Sequence, residues 1–368
     1  MLRVLFFHTD DVAANVRIRP LLETLLASRQ IRYAAVDRNM AVSGARSDEY
    51  DVLLTHRNLS RRQHNWLMSG SVPFVYDIDD LLLSGEVHGA RHVAEQQSIR
   101  WCLEHADIVT APSRRLLQTI DQKLPRGLGP RASHLPNPGR HQPPENKPAT
   151  LPKFFWASSA QPMHAPDLDE ACLGINDAIQ ALNTEIVMAG RFPQRLLDFF
   201  PSREVIDWLE PSAYLDLLAR EPFIAVAPLS LSLPPSQQTF ADGKSDIKIA
   251  QFGSSRIAGA YSAAPPFAES DLPCHIVPDN TRAAWSDALL TLARSFPDEG
   301  NRLGDHPAFA QRRPAVLAEQ LYQALRKTAA GTEPFSFRAI PTPGVGRTIE
   351  RRIRAFRAKL FRSRQLVR

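Results

Sequence analysis

Cysteine is scarce in this sequence: Cys102, Cys172 and Cys274 are the three in 368 residues, far apart and with no CxxC pair. That spacing excludes a disulfide framework and a cysteine-built zinc site, so reduced thiols in a cytosolic setting are expected. Long apolar runs are missing too. No stretch approaches the ~18 apolar residues that would span a bilayer. The opening MLRVLFFHTDD reaches two aspartates too soon for a signal peptide and reads as a first strand. Net charge is nearly absent from the body of the chain. There are 44 Lys+Arg against 39 Asp+Glu, a sum of +5, yet residues 347–368 hold eight Arg and one Lys against Glu350 alone. The tail's excess of eight positive charges leaves the preceding 346 residues at −3. A nucleic-acid-binding body would need basic residues over its own surface, so that class is set aside. What is present, 43% apolar and 23% charged residues, is ordinary globular composition over a length that suits two domains.

Proline marks the boundaries. Eight of the 30 prolines fall between Pro125 and Pro152. Proline fixes φ and donates no hydrogen bond, so this stretch cannot form a central strand or continue a helix. It reads as the crossing from a domain over 1–138, through a linker at 139–152, to a domain over 153–313. A second break at 331–346 precedes the tail. Before the first break, VLFF (4–7), IRYAAV (31–36), DVLL (51–54), PFVYDI (73–78) and DIVTA (107–111) read as strands. Segments of helical spacing such as 18–26 and 93–102 lie between them. After it come KFFWAS (153–158), TEIVMAG (184–190), EVIDW (204–208), FIAVAPL (223–229), RIAGAYS (256–262) and CHIVP (274–278). Short apolar strands alternating with helices indicate parallel sheets covered on both faces. The fold class expected is α/β: two doubly wound Rossmann-like domains facing a cleft, with ligands beyond the carboxyl ends of the strands.

One stretch stands out at such a strand end, FADGKSDIKIAQFGSSRIAGAYS over 240–262. A turn at Gly243 leads through Lys244 and Ser245 into a helix whose first turn carries Lys248. A helix N-terminus presents free N–H groups and partial positive charge, which suit a phosphate. A capped surface helix is the alternative reading. Asp77, Asp79 and Asp80 end the strand PFVYDI, where they either orient an acceptor hydroxyl as base or cap the next helix. Arg17 and Arg57 stand at other strand ends, from which they can reach a phosphate or pair on the surface. Asn137 and Arg191 are cleft candidates because each follows a strand. Ile349, Ile353, Phe356 and Leu360 form one stripe of a basic amphipathic C-terminal helix, a pattern of membrane surfaces or partner helices.

The 240–262 stretch resembles the donor segment of family 4-type glycosyltransferases with the two-Rossmann fold called GT-B. In the branch that builds bacterial surface polysaccharides this segment reads like GKSDLKYLEYAALGVPVVAS. Gly243, Lys244, Ser245, Asp246, Lys248, Phe252 and Ser262 occupy matching positions. VPFVYDIDDLL (72–82), NVRIRP (15–20), ADIVTAPSRRLLQTI (106–120), LPNP (135–138), HAPDL (164–168) and EPSAYLDLLAREPFIAVAPL (210–229) follow the family in order.

The resemblance implies a retaining transfer of a sugar from a nucleotide-diphosphate donor to a glycan or lipid-linked acceptor, with no obligatory metal or other cofactor. Donor-binding residues would be Gly243, Lys244, Ser245, Lys248, Gln251, Arg191 and Ser262. The catalytic group would come from Asp77, Asp79, Asp80 and His164, with Arg17, Arg57 and Asn137 lining the acceptor side. The segment 314–330 would be the helix that crosses back to the first domain. The protein would be cytoplasmic, with the tail at 347–368 resting on an anionic membrane and no nucleic-acid partner. Three departures point to an alternative, a weak or inactive relative acting as a binding or assembly subunit. Gln251 stands where the family carries Glu, and Ala157 and Ala160 stand where it carries glycines.

Overall fold

The computed structural model describes residues 1–8, 11–37, 46–69, 72–83, 93–158 and 165–331. In the first half, strands β1 (Leu2–Phe7), β2 (Ile31–Val36), β3 (Val52–His56), β4 (Phe74–Asp77), β5 (Ile108–Ala111) and β6 (Ala132–His134) form one sheet in the order β2-β1-β3-β4-β5-β6. In the second half, β7 (Lys153–Ser158), β8 (Ile186–Gly190), β9 (Arg203–Ile206), β10 (Phe223–Ala227), β11 (Gly259–Ser262) and β12 (His275–Val277) run β12-β11-β10-β7-β8-β9. Every pairing is parallel. Parallel neighbours need a crossover, and helices supply it on both faces. That is why β3 and β10 are buried at every residue. The order of connection reverses between β1 and β3 and again between β7 and β10, and a crevice opens at each reversal.

The helix expected at 18–26 is Arg19–Ala27, and a further helix, Asp11–Arg17, precedes it with a break at Ile18. Pro20 has no N–H to carry the first helix onward and instead starts the second. The break leaves Arg17 at a helix end, turned inward. Strand β6, within the proline-rich stretch, was not expected. It is three residues long, lies between Pro130 and Pro136, and pairs at the sheet edge where proline is tolerated.

The core of the second half includes Phe154, Phe155 and Trp156, with the Phe155 ring stacked on Phe223 at 4.6 Å. Two elements tie the halves together. Phe240, on helix Pro235–Asp242, joins the first core beside Leu81 and Tyr76. Helix Pro314–Ala330 buries Leu317, Leu321 and Leu325 with Leu21, Leu22 and Leu25 of the first half. The proline-rich segment is fastened to the second half. Arg140 donates to the Leu215 carbonyl at 2.6 Å, and the buried Lys147 ammonium donates to those of Leu218 at 2.6 Å and Ala219. The basic helix expected at 347–368 lies outside the described residues.

Candidate functional site

The segment with the phosphate-binding pattern forms helix Ile247–Ser254, which leads into β11. Asp246 stands at its N-cap but makes no capping hydrogen bond. Its carboxylate instead accepts from Arg312 at 2.8 Å and from the Ser270 hydroxyl at 2.8 Å. Among the described residues the first-turn N–H groups therefore have no side-chain partner, which suits them to an anion. Lys248 lies in that turn, half-buried, and has no carboxylate or hydrogen-bond partner among the described residues. Burial, helped by the charge of Lys244, pushes its ammonium down to about 7. An ammonium in that state gains from any anion that reaches it. Lys244 itself sits over the Phe240 ring at 5.1 Å. One turn along, Gln251 is only 9% exposed, and its side-chain amide has no partner among the described residues. Gly243 lets the loop approach the first half closely, since a Cβ there would lie 3.2 Å from the Cβ of Leu81.

The other candidates separate into groups. Arg17 and Asp77, expected at the cleft, are buried at 1% and 0% exposure. Asp77 accepts from Arg17 Nε at 2.8 Å and Nη2 at 2.7 Å and from Thr110 Oγ1 at 2.6 Å; His56 Nδ1 stands 2.8 Å from it. Burial pushes the Asp77 carboxyl up, but the charge of Arg17 and hydrogen bonds from His56 and Arg17 outweigh it and hold it well below the carboxylate range. A carboxylate so enclosed cannot meet an acceptor hydroxyl, which corrects the expected roles of both residues: they form a structural ion pair. Asp79 and Asp80 share Arg57, at 2.5 Å and 3.3 Å, and remain 15% and 27% exposed. Arg57 reaches them from the left-handed region, φ 58°. Burial raises the Asp79 carboxyl, yet the Arg57 charge keeps it below its ordinary value.

Ser262, expected to touch the donor, is fully buried. Its hydroxyl accepts from the Leu229 N–H at 2.9 Å and donates its one proton to Asn280 Oδ1 at 2.9 Å, so no proton remains for a ligand. Arg191 is exposed at the end of β8, its side chain without a partner among the described residues. It follows Gly190, whose φ of 111° and close approach to the Ser158 carbonyl, 2.0 Å from a Cβ, admit glycine alone. Ala157 is half-buried in β7, and His164 and Ala160 lie outside the described residues.

Three residues escaped the sequence reading. Asp167, in the first turn of helix Pro166–Leu182, accepts from Leu231 N at 2.6 Å, Ser232 Oγ at 2.7 Å and Asn280 Nδ2 at 2.8 Å, and also from Ser230 Oγ. It fixes the loops that follow β10 and β12 to the helix that follows β7. An acidic residue after a helix-starting proline was the available signal, but its partners are remote in sequence. Asn280, which also donates to the Leu229 carbonyl at 2.8 Å, is the second. Arg312, the third, grips Asp246 and Asp271. Between the halves a cavity of about 100 Å³ opens, lined among others by Ser113, Arg115, His134, Lys244 and Glu269. Arg115 bridges it to Glu269 at 2.6 Å.

No known family's sequence pattern matches the chain, and no curated protein matches it by sequence. Solved structures do match. WaaG, a glycosyltransferase involved in lipopolysaccharide biosynthesis, superposes with a TM-score of 0.56 at 11% identity, covering 88% of this chain and 99% of its own. Anabaena Alr3699/HepE, solved in complex with UDP and glucose, gives 0.54 at 13% identity over 89% of this chain and 100% of that one. UDP-GlcNAc 2-epimerase from Neisseria meningitidis, bound to UDP-GlcNAc, gives 0.53 at 10% identity over 89% and 100%. At such identities the likeness is one of fold. With its two parallel six-stranded sheets joined through a proline-rich crossing and a returning last helix, this chain has the GT-B fold.

Proposed function

We propose that the protein is a glycosyltransferase that moves a sugar from a nucleoside-diphosphate donor, held by the second half, to a hydroxyl of a surface glycan or lipid-linked acceptor on the first. The observation that carries this reading is Lys248: a half-buried ammonium with no acidic partner among the described residues, beside uncapped helix N–H groups. As the bond from the anomeric carbon to the diphosphate breaks, the leaving group gains charge. Lys248 and the first-turn amides can meet that charge without a metal ion. Gln251, one turn on, would accept from ribose hydroxyls, and the exposed Arg191 would add a cation for a phosphate. The nucleotide-bound neighbours of the same fold support a donor of the UDP-sugar type. The resemblance to family 4 supports retention at the anomeric carbon, and the tail at 347–368 would bring the cleft to an anionic membrane.

Replacing Lys248 tests the reading. Lys248→Ala should weaken UDP-sugar binding about tenfold to a hundredfold, the loss of roughly 1.5–3 kcal/mol for a charge-assisted bond, and leave the melting temperature nearly unchanged. Equal affinity by calorimetric titration would reject the assignment. A second reading, a binding or assembly subunit without turnover, is favoured by one observation: Asp77 and Asp79 are committed to arginines, and Asp80 is partly so. Nucleotide release from a UDP-sugar with an acceptor present separates the two.

A further inference from the structure

We propose, resting on the donor site above, that Asn137 is a positioning residue that carries the first half's buried Arg17–Asp77 pair onto the donor loop by fixing the hydroxyl of Ser245. Asn137 is 1% exposed, so it does not itself touch a ligand. Its Oδ1 accepts from Arg17 Nη1 at 3.0 Å and its Nδ2 donates to Ser245 Oγ at 2.7 Å. The orientation is dictated. Arginine only donates, so the amide oxygen must face Arg17 and the NH₂ must face Ser245. Arg17 cannot turn away, because Asp77 and the Leu135 carbonyl, at 2.8 Å, hold its other nitrogens. Ser245 Oγ accepts from Asn137 and keeps its single proton for outward donation. At three residues before Lys248, that proton suits an acceptor-only group such as a phosphate oxygen. Arg312 adds a second link, bonding the Asn137 carbonyl at 3.5 Å and Asp246, next to Ser245, at 2.8 Å. The state of the first half's strand ends thereby sets how well the second half binds its anion.

The test is a double-mutant cycle on the full chain with uridine diphosphate and a panel of other nucleoside diphosphates as probes, read by titration calorimetry and by thermal melting. Asn137→Ala and Ser245→Ala should each weaken binding about threefold to tenfold, and the double variant should lose no more than Ser245→Ala alone. Ser245→Thr, which keeps the hydroxyl, should restore affinity to within about twofold of the unaltered chain. Should Asn137→Ala fail to fold, Asn137→Asp serves. Its carboxylate keeps the Arg17 bond but draws the Ser245 proton inward, so binding should fall while the melting temperature holds. Unchanged affinity in the Asn137 variants, or losses that multiply in the double variant, would overturn the coupling and leave the donor site standing. If the unaltered chain bound none of the nucleoside diphosphates, the donor-site reading would fall, and this inference with it.

Discussion

Lys248 and Asp77 are both ions withdrawn from water, and the surroundings treat them oppositely. Burial and Lys244 push the Lys248 ammonium down to about 7, whereas in the unfolded chain a lysine stays charged up to about pH 10.4. An anion bound beside it favours the charged form, so above pH 7 binding must take up a proton. Affinity for a UDP-sugar should therefore fall by up to about tenfold per pH unit between pH 7 and 8.5. Lys248→Ala should flatten that profile. Titrations in buffers of different ionisation enthalpy measure the proton uptake directly. Asp77 runs the other way. Its folded carboxyl is held below the ordinary value by Arg17, so the pair's stabilisation is full above about pH 4 and is lost as the pH falls below it. Asp77→Ala leaves the Arg17 guanidinium buried without its partner and should cost about 3–5 kcal/mol, read as a lowered midpoint in urea.

Helix Pro235–Asp242 meets the first half with the Phe240 ring and with Asp242, which faces Arg115 at 3.9 Å. Phe240 is 7% exposed within the first half's core, although it belongs to the second half of the sequence. Phe240→Ala should cost roughly 3–5 kcal/mol in thermal unfolding and weaken donor binding through Lys244, which loses the ring beneath it. Position in an element also explains what the sequence could and could not disclose. IRYAAV and KFFWAS are strands at the expected bounds, and the buried runs VLFF and FIAVA announce themselves by unbroken apolar residues, as doubly covered parallel strands do. Lys248 was legible because spacing from a turn places it in a first helical turn. Asp77 was misplaced, since a strand-end aspartate looks the same in sequence whether it faces a cleft or a buried arginine sixty residues away. Ser262, Asp167 and Arg312 depend on contacts between remote loops, and nothing local distinguishes them from ordinary polar residues.

For the molecule as a whole, residues 347–368 concentrate positive charge on a chain whose remainder is slightly negative. Each basic residue near an anionic bilayer is worth about 1 kcal/mol, screened within a Debye length. Truncation after Gly346 should therefore release the protein from anionic liposomes at low salt and slow transfer to a lipid-linked acceptor, with donor affinity unchanged. Co-sedimentation across a salt series is the measurement, and equal sedimentation of both forms would remove the membrane role. The returning helix Pro314–Ala330 has a consequence of another kind. Leu317, Leu321 and Leu325 belong to the core of the half that is synthesised first. At a ribosome adding about 5–20 residues per second, the face of that half around Leu21, Leu22 and Leu25 waits for residues 314–330 before it can close. During that interval Leu21, Leu22 and Leu25 lack their cover, so the half made first is the half completed last.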